Sequence, residues 1–163
     1  MSQISASEGP MLQQIDLTKL NLPQLTQLKQ QLDQELGVFQ DSLQTLKIAQ
    51  NKFQESGTSL EKITPSAKGK EILVPLTGSM YVTGKLADTE TVIVDIGTGY
   101  YAQKDIQGAK DYFKRRVNYV TEQMEKIQQI GLEKSKIREA IMDVMEMKMQ
   151  GQMATQKELA ETA

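Results

Sequence analysis

From residue 22 to about residue 64, apolar side chains return every seven positions: Leu25, Leu32, Phe39, Leu46, Phe53 and Leu60. Leu22, Leu36 and Leu43 fall on the companion position of the same stripe, which Lys29, Gln50 and Gly57 interrupt. Six unbroken heptads at one position predict a coiled coil rather than a helix of a rounded core. Asn21 can cap its start, Gln24 can reach back to the cap, and Leu20 with Leu25 can form the apolar staple across the first turn. Pro65 and Gly69 are expected to end it. At ~1.5 Å per residue this helix is roughly 65 Å long, far longer than a rounded domain of this size needs.

Between 71 and 103 the period changes. "EILVP", "SMYVT", "TVIVDI" and "GYYAQ" are short runs rich in β-branched and aromatic residues, separated by Thr77-Gly78, by Gly84 to Glu90 and by Gly97-Thr98. They predict four strands in two hairpins. Helical period resumes near 105, with Asp105 as a cap, and persists to about 155. Phe113, Val117, Val120, Met124 and Ile127 follow heptad spacing. The stripe is then expected to move to Ile130, Ile137, Ile141 and Val144, with Gly131 at the break and the steps 124, 127, 130 reading as a stammer.

The fold class is therefore α+β: two long helices folded back as an antiparallel coiled coil and joined by two β-hairpins. Residues 16–155 make one domain, flanked by flexible tails at 1–15 and 156–163. Small sheets with open edges are marginal alone and seek partner strands. The strand region is thus expected to drive oligomer formation. Val92, Val94 and Ile96 alternate on one face, and Ile72, Leu73, Val74, Met80, Tyr81, Val82, Tyr100 and Tyr101 add apolar surface.

Composition narrows the chemistry. The chain has 163 residues and contains neither Cys nor His, which removes disulfides, thiolate nucleophiles, imidazole acid–base catalysis and Cys/His zinc sites. Aromatics make up 5% and there is no Trp, so thin helical packing suits the chain better than a thick core. A net charge of −2 gives no electrostatic reason to expect a polyanion partner. No long apolar run and no apolar signal core are visible, which points to a soluble protein of a reducing compartment, cytosolic or nuclear.

Four motifs ask for a chemical reading. "IGTGYYA" (96–102) satisfies G-x-G-x-x-A through Gly97, Gly99 and Ala102. That pattern binds a dinucleotide only between a strand and a helix start. Here Tyr100-Tyr101 continue as strand, so the glycines are expected to serve a hairpin turn. "AKGKE" resembles part of a phosphate-binding loop, but Thr64 stands where Gly is required and Glu71 where Ser or Thr should meet magnesium. Lys114-Arg115-Arg116, among Tyr112, Phe113 and Tyr119, are expected to be a solvated helix face rather than a nucleic-acid patch. Asp88, Glu90 and Asp95 are scattered turn carboxylates without a base or metal partner. No cofactor and no metal are expected.

The methionines carry more. Met142, Met145, Met147, Met149 and Met153 lie within twelve positions, and Met142, Met145, Met149 and Met153 share one helix face. Counting back from the connection, the first helix starts at 22 and its antiparallel partner is matched only to about 147, so Met149 and Met153 overhang. Flexible thioethers suit irregular apolar partners. With Met142 and Met145, and with Leu17, Leu20, Leu22 and Leu25 of the facing end, they form an expected binding tip.

The segments "LNLPQL" and "QQLDQEL" (20–25 and 30–36), "LVPLTGSMYV" with "GKL" (73–86), "VDIGTGYY" (94–101), and "AKDYFKRRV" with "QMEKIQ" (109–128) resemble those of alpha-class prefoldin subunits. The similarity spans about 15 to 150. It implies a hexamer of two alpha-class and four beta-class subunits whose strands join in a β-barrel platform. It further implies ATP-independent holding of unfolded actin and tubulin by the helical tips and delivery to the cytosolic chaperonin. It implies no enzymatic activity, no nucleic acid, no membrane, and a cytoplasmic location with the nucleus open as a second one. A purely structural coiled-coil tether and a nucleic-acid module stay open beside it.

Overall fold

The computed structural model describes residues 16–162; the expected tail at 1–15 lies outside the described residues. Helix α1 spans Leu22–Glu61. Its start is a reciprocal capping box. The Gln24 N–H donates to Asn21 Oδ1 at 2.9 Å, and the Asn21 N–H donates to Gln24 Oε1 at 3.0 Å. The helix stops at Glu61, short of the expected 64. Pro65 drives the residue before it out of the helical region, and Thr64 is extended at φ −110°, ψ 160°.

Two antiparallel hairpins follow. Strands β1 (Glu71–Pro75) and β2 (Tyr81–Lys85) pair from Glu71↔Lys85 to Pro75↔Tyr81. Strands β3 (Thr91–Gly97) and β4 (Tyr100–Asp105) pair from Thr91↔Asp105 to Asp95↔Tyr101, and then shift register to Gly97↔Tyr100. The shift leaves Ile96 as the extra residue of a bulge. Gly97, Thr98 and Gly99 all have positive φ (101°, 51° and 81°), the backbone of a tight hairpin turn. The Gly97 N–H donates to Asp95 Oδ1 at 2.8 Å and closes it. "IGTGYYA" is thus a bulged turn between two strands, with no helix start inside it.

Helix α2 spans Ile106–Glu161 and passes through 156–161, which had been expected to form a tail. That stretch, "QKELAE", consists of good helix formers with no Gly or Pro to stop it. At the other end the Asp105 carboxylate lies over the first turn. A Cβ at Gly108 would come within 2.5 Å of its Oδ1, so glycine leaves that carboxylate its room.

The described residues divide into two compact units, one of residues 39–130 and one of residues 16–38 with 131–162. In the central unit, buried Leu60, Val94 and Ala109 pack with Ile63, Val92, Ile106, Tyr112 and Phe113. The polar interruption at Gln50 is buried but satisfied. Its Nε2 donates to Thr121 Oγ1 at 2.7 Å, and its Oε1 accepts from Lys47 Nζ at 2.8 Å. In the terminal unit, buried Leu25, Leu32 and Ile141 pack with Leu17, Leu20, Leu28, Val144 and Met145.

All twelve predicted stripe positions of α1, from Leu22 and Leu25 to Gly57 and Leu60, are buried or half-buried. On α2 the expected stammer is absent. The covered positions run Phe113, Val117, Val120, Met124, Ile127, Gly131, Lys134, Arg138, Ile141, Met145 and Lys148, alternating steps of four and three without a break. Ile130 and Ile137 sit on the flank and are exposed (45% and 47%). Charged residues carry the stripe there instead. Lys134 Nζ pairs with Glu35 at 2.6 Å, and Arg138 Nε pairs with Asp33, which also takes Lys29 Nζ at 2.9 Å. Long cationic side chains cover the stripe with their stems and place their heads on facing carboxylates. Reading apolar letters alone misses them.

Candidate functional site

Two surfaces leave apolar side chains uncovered. The first lies in the central unit. The two hairpins form separate two-stranded sheets, so each strand keeps one unpaired edge among the described residues. Ile72, Leu73, Val74, Met80, Tyr81, Val82, Ile96, Tyr100 and Tyr101 are all exposed. Val92 and Val94 are not. Val94 retains 4% of its surface and packs on Leu60 and Ala109, with Val92 beside it. Alternation puts these two on the face turned to the chain's own helices, and the bulge interrupts that alternation at Ile96, which stays 45% exposed. Within the strand region, Ile93 (74%) and Leu76 (58%) are exposed as well and lie outside the expected set. Ile93 was legible as the residue alternating against Val92 and Val94. An open groove of about 850 Å³ runs along β3, with Phe53, Leu60, Val94, Ile96 and Phe113 in its lining.

The second surface lies in the terminal unit. Asp16 caps a short 3-10 turn over Leu17–Lys19, accepting from the Thr18 N–H at 3.1 Å. This turn lays Leu17 and Leu20 against the buried cluster, and Lys148 Nζ ties it to α2 through the Thr18 carbonyl at 2.8 Å. Leu25 is fully buried, so it supports the end from within and presents nothing to a partner. Leu17, Leu20 and Met145 are half-buried in the same packing. Leu22 is half-buried and lines an open groove with Lys148, Gly151 and Gln152. Of the expected tip residues, Met142, Met149 and Met153 are the exposed ones, at 42%, 48% and 70%. Past Lys148 every described residue of α2 is exposed, an overhang of about 20 Å at ~1.5 Å per residue.

The electrostatics are structural. Hydrogen bonding from Lys29, then from Arg138, holds the Asp33 carboxyl below its ordinary value of 3.8, and Lys134, then Gln31, does the same for Glu35 below 4.5. Asp88 is lowered by Thr91 and by the Glu90 N–H, a turn carboxylate stabilising its own loop. Arg116 of the basic run stacks over Phe53 and Tyr119, at 5.2 and 5.9 Å from the ring centroids. Among the described residues no three acidic, His or Cys side chains gather to hold a metal, and no helix is long and apolar enough to cross a membrane.

Two long helices paired antiparallel within each unit, with two small antiparallel hairpins in the central one, define an α+β coiled-coil class. The prefoldin subunit model matches residues 32–151. The chain is 50% identical over 140 residues to prefoldin subunit 5 of Homo sapiens, covering 86% of this chain and 91% of that one. It is 52% identical over 134 residues to a probable prefoldin subunit 5 of Drosophila melanogaster, covering 82% and 80%. A chain of filamentous PFD from Methanocaldococcus jannaschii aligns at a TM-score of 0.44 and 20% identity over 75% of this chain and 96% of its own. The chain belongs to the prefoldin family. It is a subunit of a prefoldin-type cochaperone, a class of chaperones rather than enzymes.

Proposed function

We propose that this chain is an alpha-class subunit of a hexamer of two alpha-class and four beta-class prefoldin subunits. That hexamer captures unfolded actin, tubulin and other non-native chains without ATP and hands them to the cytosolic chaperonin. It works in the cytoplasm, with the nucleus as a second compartment, and uses no cofactor, nucleic acid or membrane. The kinship with subunits named prefoldin subunit 5, over most of both chains, carries the reading.

The geometry supports it in two ways. Unpaired strand edges beside exposed Ile72, Leu73, Tyr81, Ile93, Tyr100 and Tyr101 suit strand pairing with neighbouring subunits. Exposed Met142, Met149 and Met153 suit weak contact with irregular apolar segments. One such contact contributes about 1.5–3 kcal/mol before ordering losses, so a single chain grips weakly and several on one assembly raise the effective concentration.

The test is reconstitution. The chain is mixed with other prefoldin subunits, the native mass is measured, and suppression of aggregation of chemically denatured actin is followed without nucleotide, then after adding chaperonin. A hexamer that suppresses aggregation and yields native actin only with chaperonin is expected. A chain that stays monomeric, or a hexamer that captures nothing, overturns the reading.

A further inference from the structure

The chain has no Cys, so its nine Met residues are its readily oxidised sulfurs, and five of them lie between 142 and 153. Their surroundings differ sharply. Met145 is half-buried against Leu25, Leu32 and Ile141, and Met124 is half-buried on the α2 stripe. Met142, Met149 and Met153 are exposed, and at ~100° per residue they fall within about 40° of one another on the helix. Met147, though also exposed at 61%, points to another side.

We propose that Met142, Met149 and Met153 form a peroxide-reactive modification site, at which sulfoxide formation weakens the holding of a non-native chain. This rests on the client-holding reading given above. In the reaction a thioether lone pair attacks one oxygen of hydrogen peroxide. The O–O bond breaks and an S–O bond forms. Sulfur is oxidised by two electrons, and the other oxygen leaves as water after taking up the remaining proton. The product places a polar acceptor where the helix had offered a flexible apolar surface, and sulfoxide reductases restore the thioether. Access sets the order of reaction, so the buried packing protects Met145 while its neighbours react. The three side chains are outside both buried clusters, so their oxidation leaves the fold and the strand region intact.

The reconstituted complex is treated with hydrogen peroxide, quenched, and compared with complexes carrying M142L/M149L/M153L or M142Q/M149Q/M153Q in this chain. Peptide mass spectrometry is expected to show gains of about 16 Da at Met142, Met149 and Met153 before Met145 and Met124. Denatured actin is the probe of holding. Peroxide is expected to weaken the native complex roughly twofold or more, and the Leu complex markedly less, while the untreated Gln complex starts out weakened. Native mass checks that assembly survives. Oxidation of Met145 as fast as the three, or equal losses in the native and Leu complexes, overturns the proposal. A weakened Gln complex beside a native complex that holds normally with all three sulfoxides formed rejects the modification alone. A Gln complex that holds as well as the native one rejects the client-holding reading at these residues, and the proposal with it.

Discussion

At the scale of single residues, Gly97 and Gly99 decide the β3–β4 turn. Both have positive φ, at 101° and 81°, and neither has a heavy atom within 4 Å of an added Cβ, so conformation rather than space requires glycine. Gly78, in the other hairpin, also meets nothing within 4 Å and has no such φ. Gly97→Val or Gly99→Val should therefore lower stability by roughly 1–3 kcal/mol, and Gly78→Ala should stay within about 0.5 kcal/mol. Thermal melting of the three variants checks this, and equal melting temperatures for all three would refute the turn argument. The turn was legible in "IGTGYYA" because strand residues follow the glycines where a nucleotide loop needs a helix. The bulge was not. Strict alternation runs on through Ile96, and the register shift at Asp95/Gly97 interrupts it there. The same blind spot let Val94 pass as assembly surface, since alternation tells which residues share a face and not what covers it.

At the scale of elements, the long helices were written plainly in the heptads, and the capping box at Asn21 and Gln24 marked the start of α1 to the residue. The stripe is least legible where charge carries it. Gly131, Lys134 and Arg138 keep the heptad of α2, while the apolar Ile130 and Ile137 lie exposed beside it. The ion pairs with Asp33 and Glu35 then have a testable pH dependence. Both carboxyls have folded-state values depressed below their ordinary 3.8 and 4.5. Their contribution is therefore present above those ordinary values and is lost as pH falls through the depressed ones. Helix melting followed by circular dichroism should lose stability from about pH 4.5 downward. An Asp33→Asn, Glu35→Gln variant should show a smaller part of that loss, and a difference that high salt shrinks. An identical acid slope in the variant would mean that the pairs contribute nothing to the seam. The pairs are partly exposed, so solvent screening keeps the effect modest.

At the scale of the whole molecule, the proposed assembly and capture surfaces use different residues, and separate changes should divide them. Ile93 is 74% exposed on the open side of β3, whereas Val94, next to it, is 4% exposed and packs on Leu60 and Ala109. Ile93→Asp should leave the chain's own melting temperature nearly unchanged and keep it out of the complex, since a carboxylate cannot be covered by a neighbouring strand face without loss. Val94→Asp should instead destabilise the chain itself by roughly 3 kcal/mol or more, because the charge enters the chain's own core. A chain ended after Lys148 is the third arm. It retains both buried clusters, none of whose members lies beyond Met145, and it keeps the Lys148 contact to the Thr18 carbonyl. It loses Met149 and Met153 with the exposed end of α2. Such a chain should melt and assemble as the full one does, and its complexes should capture less denatured actin at equal concentration. Native mass, melting and aggregation suppression on the three variants decide the matter together. If Ile93→Asp assembles normally, the exposed strand face is not the assembly surface. If the shortened chain captures as well as the full one, the overhang of α2 takes no part in holding this client, and the grip comes from the other subunits or from residues before Lys148.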